Sequence, residues 1–163
     1  MTGLPRPLDE YLSSVRDLDQ ATFLQRSAPY LLLIQTPGVA DLDQVTTAAG
    51  GLESGGRELV VVPVAKRAGA NTSTDMITVG RTPSSDVCLT NPGVSKFHAY
   101  FVYQSRAIYL VDANSLRGTF YGDHRLSPNS RLPLHSGAAV AFGPLKGTIL
   151  SAKDFYELRV APS

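Results

Sequence analysis

The chain has 163 residues, 43% of them hydrophobic and 18% charged, the balance of one folded domain with a proper core rather than of a disordered chain. A formal net charge of +1 supplies no whole-molecule field for nucleic acid, so any anion chemistry must come from a local cluster of basic side chains. The single cysteine, Cys88, excludes an internal disulfide and reads as a small core residue, while histidines at 98, 124 and 135 are too scattered for a zinc site.

In chain order, the start lacks the basic, apolar and small-residue succession of a secretion signal, and the longest apolar runs, 30–34 and 59–62, are too short to cross a bilayer. A soluble cytoplasmic protein is the expectation. After Pro7, Leu8, Tyr11, Leu12, Val15 and Leu18 recur at helical spacing, with Asp9 and Glu10 early, where the positive end of the helix dipole favours them. Asp19 caps a second short helix through Gln25, and Pro29 forces its end. From Tyr30 the text becomes strand-like: YLLLI, ELVVVPVAK, MITVG, DVCLT, FHAYFVYQ, AIYLVDA, GTFYG, AAVAFG, TILSA and FYELRV, separated by Gly, Pro, Asn and Ser clusters. Many short strands with turns between them predict an all-β sandwich, with Pro63 marking an edge or a bulge.

Two segments depart from this rhythm. Residues 36–57 are long for a hairpin and read as an insertion with a short helix over 41–49 ended by Gly50. Residues 68–74, AGANTST, read as a polar loop tip. VRDLDQATF at Val15 and VADLDQVTT at Val39 agree at six of nine positions. They read as two similarly capped helix starts, since no longer repeat period follows.

The chemistry gathers in three polar turns. Gly80-Arg81-Thr82-Pro83-Ser84-Ser85-Asp86 follows the strand MITV; its glycine allows a sharp turn and its arginine is free to present a planar fork of donors to phosphate or carboxylate. Ser95, Lys96 and His98 crowd three polar groups into four positions at the head of an aromatic run, an arrangement that core filling does not explain. Asp112-Ala113-Asn114-Ser115-Leu116-Arg117-Gly118-Thr119 makes the third turn. If FHAYFVYQ and AIYLVDA form a hairpin through Gln104-Ser105-Arg106, all three turns fall at one end of the sandwich, with Arg81, Ser95, Lys96 and Arg117 around one shallow site.

The succession G-R, S-x-x-H, S-x-x-G-T, L-x-x-G and F-G resembles the forkhead-associated (FHA) domain, over about residues 30–160 and most specifically over 77–143. The resemblance implies an eleven-stranded β-sandwich that binds phosphothreonine peptides through its loops. By position it implies that Gly80 holds the loop geometry, that Arg81 contacts the phosphate or the adjoining peptide backbone, that Ser95 donates its hydroxyl to a phosphate oxygen, and that Lys96 donates beside it. His98 and Gly118 would be structural supports. A phosphate carries close to two negative charges near neutral pH, and an arginine fork, an ammonium and a hydroxyl complement it, each charge-assisted bond contributing about 1.5–3 kcal/mol. One departure stands out: where the family carries Thr or Ser and then Asn, this chain has Leu116 and Arg117, losing a hydroxyl and a peptide-binding amide and gaining a third cation.

The expected activity is therefore binding rather than catalysis. It is that of an adaptor for a phosphothreonine-containing protein, a Ser/Thr kinase or its substrate, with no cofactor, no metal, no nucleic acid and no membrane. The domain division expected is a helical extension over 1–29 and an FHA-like domain over 30–163. A Ser95, His98, Asp112 hydrolase is disfavoured, because a strand would send Ser95 and His98 to opposite faces and no G-x-S-x-G elbow is present. The competing class is a phosphate-independent interaction or oligomerisation module whose pocket has drifted, using the N-terminal helix or the 36–57 insertion.

Overall fold

A computed structural model describes residues 3–37 and 57–160. The described strands form two sheets. The first short strand, β1 (Arg6–Pro7), leads into helices α1 (Leu8–Val15) and α2 (Gln20–Arg26), followed by strands β2 (Tyr30–Pro37), β3 (Arg57–Pro63), β4 (Ile77–Gly80), β5 (Val87–Cys88), β6 (Ala99–Gln104) and β7 (Ala107–Asp112). Next come β8 (Thr119–Tyr121), β9 (His124–Arg125), β10 (Leu132–Leu134), β11 (Ala139–Phe142), β12 (Leu145–Ser151) and a closing helix, α3 (Ala152–Val160). One sheet runs β1-β3-β2-β12-β11-β8-β9 and the other β10-β7-β6-β4-β5. Setting aside β1, which comes from the N-terminal segment, eleven described strands remain, in keeping with the FHA sandwich.

The unbroken apolar runs of β2 and β3 have a physical cause: both faces of that part of the sheet are covered. Leu32, Ile34 and Val62 point between the sheets, where they meet Val79, Phe101, Ile108, Leu110, Phe142 and Ile149. Their alternate neighbours, Leu31, Val61 and Leu150, point outward into a second cluster with Tyr11 and Val15 of α1, Phe23 of α2 and Phe155 of α3. The helical face at Tyr11 and Val15 is thus spent on the sandwich itself. Asp19 caps α2 by accepting from the Thr22 amide at 2.8 Å, as its position in the sequence leads one to expect.

Helix α3 corrects one expectation, since FYELRV alternates like a strand but folds as a helix. The stretch from Ala152 places Ala152, Phe155, Tyr156 and Arg159 on one face, and the Ser151 hydroxyl accepts from the Asp154 amide at 3.1 Å as an N-cap. Phe155 stacks on Phe23 with 6.0 Å between ring centroids and meets Tyr11 edge-on at 5.5 Å. The Arg159 guanidinium lies 4.2 Å over the Tyr156 ring and donates to the carbonyls of Val15 and Leu18, the latter at 2.8 Å. Partners on α1, α2 and the segment between them, not local alternation, decide the segment. Strands β9 and β10, two and three residues long, were missed because neither is long enough to show a period.

Other expectations meet their elements directly. The β6–β7 hairpin turns at Ser105 and Arg106, whose φ values of 53° and 65° are those of a type I′ turn matching the strand twist. Pro63 closes β3 opposite Leu31, beyond Val60 and Val61, the two residues that β1 pairs with. Cys88 is buried and its thiol faces the Arg81 carbonyl. The helix expected over 41–49 and the second DLDQ motif lie outside the described residues. Among the described residues no helix is long and apolar enough to cross a membrane, and no group of three or more His, Cys, Asp or Glu is placed to hold a metal.

If α3 is part of the fold rather than a frayed end, Phe155→Ala should lower unfolding stability by about 3–5 kcal/mol. Leu158→Ala, one turn on and 61% exposed, should change it by less than about 0.5 kcal/mol. Urea unfolding of the two variants checks this, and equal, small effects would mean that α3 contributes nothing.

Candidate functional site

The last position of β4, Gly80, has no room for a side chain. A Cβ would run into the Lys96 carbonyl oxygen and sit 2.6 Å from the Ser85 hydroxyl, so the backbone of the turn passes directly against the segment carrying Ser95 and Lys96. Backbone bonds join them: the Arg81 amide donates to the Ser95 carbonyl at 3.1 Å, and the His98 amide to the Val79 carbonyl at 2.9 Å. Arg81 therefore leaves the sheet at the place where Ser95 enters it.

Beneath this turn lies Asp86, wholly buried. Its carboxylate accepts from Lys66 Nζ at 2.7 Å, the Arg67 amide at 2.8 Å, the Thr78 amide at 2.9 Å and Asn71 Nδ2 at 3.3 Å. Burial pushes this carboxyl up, but the donors outweigh burial and hold it below the ordinary aspartate value. Asn71 also donates to the Ser84 carbonyl at 2.9 Å, so the segment read as a polar loop tip is instead a brace for the turn. Single-residue polarity does not reveal this; only the fold brings 66–71 under 84–86.

Ser95 to His98 precede β6 and are loop, not strand, which removes the argument that alternation separates them. Their contacts still exclude a nucleophile and base. The Ser95 amide donates to His98 Nδ1 at 3.0 Å, which places the ring proton on Nε2, and Nε2 donates to the Gly118 carbonyl at 2.8 Å. The Ser95 hydroxyl accepts from the Leu116 amide at 3.1 Å, leaving its own proton free to donate outward. His98 is fully buried, and burial pushes its imidazole below the ordinary value against the opposing pull of the Gly118 bond and of Asp112.

The third turn is organised from inside by Asp112, buried below it. Its carboxylate accepts from the hydroxyls of Ser115 and Thr119, both at 2.6 Å, and from the Ser115 amide at 3.2 Å; the Ser115 hydroxyl in turn accepts from the Gly118 amide at 3.1 Å. Gly118 has φ +89°, a conformation that disfavours any side chain. Asp112, Ser115 and Thr119 are scaffold residues that spacing alone did not single out as such.

Arg81, Ser95, Lys96 and Arg117 line one shallow depression together with Gly93 and Leu116. Gly80, His98 and Gly118 lie behind it, holding the three turns. None of Arg81, Lys96 and Arg117 is engaged in an ion pair among the described residues, and no carboxylate lines the depression. Leu116 stands 85% exposed at its rim. The arrangement can hold a compact anion by two guanidinium groups, an ammonium and a hydroxyl.

Because the folded state depresses the His98 pKa, the unfolded chain binds a proton that the folded one refuses as pH falls through about 6.5. Stability should therefore fall on acidification in that window. His98→Gln should lose about 1–3 kcal/mol at pH 7.5 by leaving the Ser95 amide and the Gly118 carbonyl imperfectly paired, and should flatten the slope below pH 6.5. Urea titrations across pH 5–8 report both, and an unchanged slope in the variant would assign the acid sensitivity elsewhere.

The family model described as "FHA domain" matches residues 77–143, from β4 to the residue after β11. Kanadaptin of Homo sapiens is 38% identical over 77 residues, 39% of this chain and 10% of its own length. The glycogen accumulation regulator GarA of Mycolicibacterium smegmatis is 34% identical over 95 residues, 57% of this chain and 60% of its own length. The chain thus spans less than two thirds of either relative. In fold, it is similar to the FHA domain of an Arabidopsis thaliana hypothetical protein, with a TM-score of 0.50 at 17% identity, covering 83% of this chain and 91% of that one. FHA domains are phosphopeptide-binding modules and not enzymes, and it is this domain that residues 77–143 of the chain match.

Proposed function

We propose that this protein is an adaptor that recognises phosphothreonine on a protein partner through the loop face, within Ser/Thr kinase signalling in the cytoplasm. The observation that carries the proposal is the convergence of Arg81, Ser95, Lys96 and Arg117 on one depression lined by no carboxylate among the described residues. In this reading the Arg81 fork and the Lys96 ammonium hold the phosphate oxygens, and Ser95, its hydroxyl oriented by the Leu116 amide, donates its free proton to one of them. Arg117 replaces the family asparagine with charge, exchanging a directional bond to the peptide backbone for a longer-range pull on the anion. The partner is a phosphothreonine-bearing protein, a Ser/Thr kinase or its substrate. The division of the chain into a helical extension over 1–29 and a domain over 30–163 belongs to the same proposal, with the extension serving the sandwich it covers.

Calorimetry with a phosphothreonine peptide library and its unphosphorylated twin tests the function. Phosphorylated peptides should bind, unphosphorylated ones should not, and Arg81→Ala should weaken binding by at least tenfold, corresponding to the loss of one charge-assisted bond. Arg117→Asn should retain phosphate dependence with altered preference around the phosphothreonine. Absence of binding in the natural protein with gain in Arg117→Asn would favour the phosphate-independent module instead.

A further inference from the structure

The cations at the loop face outnumber what one phosphate requires. A phosphothreonine brings a charge of about −1.5 to −2 near neutral pH, whereas Arg81, Lys96 and Arg117 alone bring three positive charges to the depression. A fourth lies beside them. Gly118 follows Arg117 directly, and a Cβ on Gly118 would be 2.7 Å from Arg125 Nε and 3.0 Å from its Cζ, so the Arg125 guanidinium rests against the backbone next to Arg117. Arg125 comes from β9, an exposed two-residue strand at the edge of its sheet, paired with β8 alone among the described strands.

Neither guanidinium is committed to the fold. Arg117 and Arg125 take part in no side-chain hydrogen bond or ion pair among the described residues, in contrast to Lys66, Arg67 and Arg159, which each satisfy carbonyls or a carboxylate. The carboxylate nearest in sequence, Asp123, lines a different depression, with Phe120, Gly143 and Lys146. In a chain of net charge +1, four cations with no ion-pair partner among the described residues, brought together where three turns meet, are a local concentration of charge that gains nothing for stability. They are complementary to a ligand with more than one anionic group.

We propose that Arg117, which precedes Gly118 in the chain, and Arg125, which packs against it, form a second anion-binding position next to the phosphate depression. The preferred ligand then carries a further anionic group, a carboxylate or a second phosphate, near its phosphothreonine. This rests on the phosphothreonine reading and extends it to the class of sequence read. It also gives the Asn-to-Arg departure a use: Arg117 lines the phosphate depression and adjoins the Gly118 backbone on which Arg125 rests, so one side chain serves both positions. Exchange of hydration for two exposed arginine forks on one added anion corresponds to an affinity gain of about tenfold, falling with added salt.

The test uses the full chain and three peptide sets sharing one phosphothreonine: a neutral context, one glutamate moved through each flanking position, and one additional phosphothreonine or phosphoserine moved likewise. Binding is measured by fluorescence anisotropy at two salt concentrations. At one or more positions the added anion should tighten binding about tenfold over the neutral context, and Arg125→Gln should remove that gain while leaving neutral-context binding intact. Comparison of the glutamate and phosphate sets shows whether a carboxylate suffices. Equal affinity for all three sets, or an Arg125→Gln loss that is the same for every peptide, would overturn the proposal while leaving the phosphothreonine reading in place. If no phosphopeptide bound at all, including the neutral one, the phosphothreonine reading itself would fall, and this proposal with it.

Discussion

The loop face depends on one imidazole. His98 accepts the Ser95 amide on one nitrogen and donates to the Gly118 carbonyl with the other, so a single buried, neutral ring fixes the spacing between the turn that carries Ser95 and Lys96 and the turn that carries Leu116 and Arg117. Neither a charged imidazole nor the opposite tautomer satisfies both partners. Around it, Gly118 O also accepts from the Gly143 amide at 2.8 Å, tying in the end of β11. Close backbone approaches at Gly80 and Gly143 allow the turns to pack without intervening side chains. The polar depression is thus the outer surface of a rigid backbone assembly rather than a set of independent loops.

Buried acids do comparable work on each side of that assembly. Asp86 supports the turn leading from Arg81, and Asp112 supports the one leading to Arg117; both are shielded from solvent and saturated with donors. A buried carboxylate costs free energy unless its oxygens are satisfied, and here each satisfied oxygen orders a stretch of loop backbone. The negative charges that shape the turns are therefore beneath the site, while the cations stand above it, free to meet an anion.

Much of the fold was legible because its elements announce themselves locally. Asp19 preceding α2, the alternation of β6 and β7, and the turn at Ser105 and Arg106 each follow from residue type and spacing. The runs YLLLI and ELVVVP were legible as strands, but not the reason for their continuity, which is the second cluster formed with α1, α2 and α3. FYELRV misled because alternation over six residues cannot be distinguished from a helical face, whereas the cap at Ser151 and the docking of Phe155 against Phe23 distinguish them at once.

The sequence by itself determined which residues could meet an anion: Arg81, Ser95, Lys96 and Arg117 stand in polar turns at the ends of strands, and parity of the intervening strands sends those turns to one end of a sandwich. It also determined the position of the supporting glycines and of His98. Only the tertiary structure decided what the supports do, namely the His98 bridge, the carboxylate cores under two turns, the brace from Asn71 and the approach of Arg125 to Gly118. The reason is separation along the chain. A turn residue's type is set by its own backbone conformation and can be read in place, whereas a contact between 71 and 84, 98 and 118, or 118 and 125 exists only once sheet register has brought distant backbones within hydrogen-bonding distance.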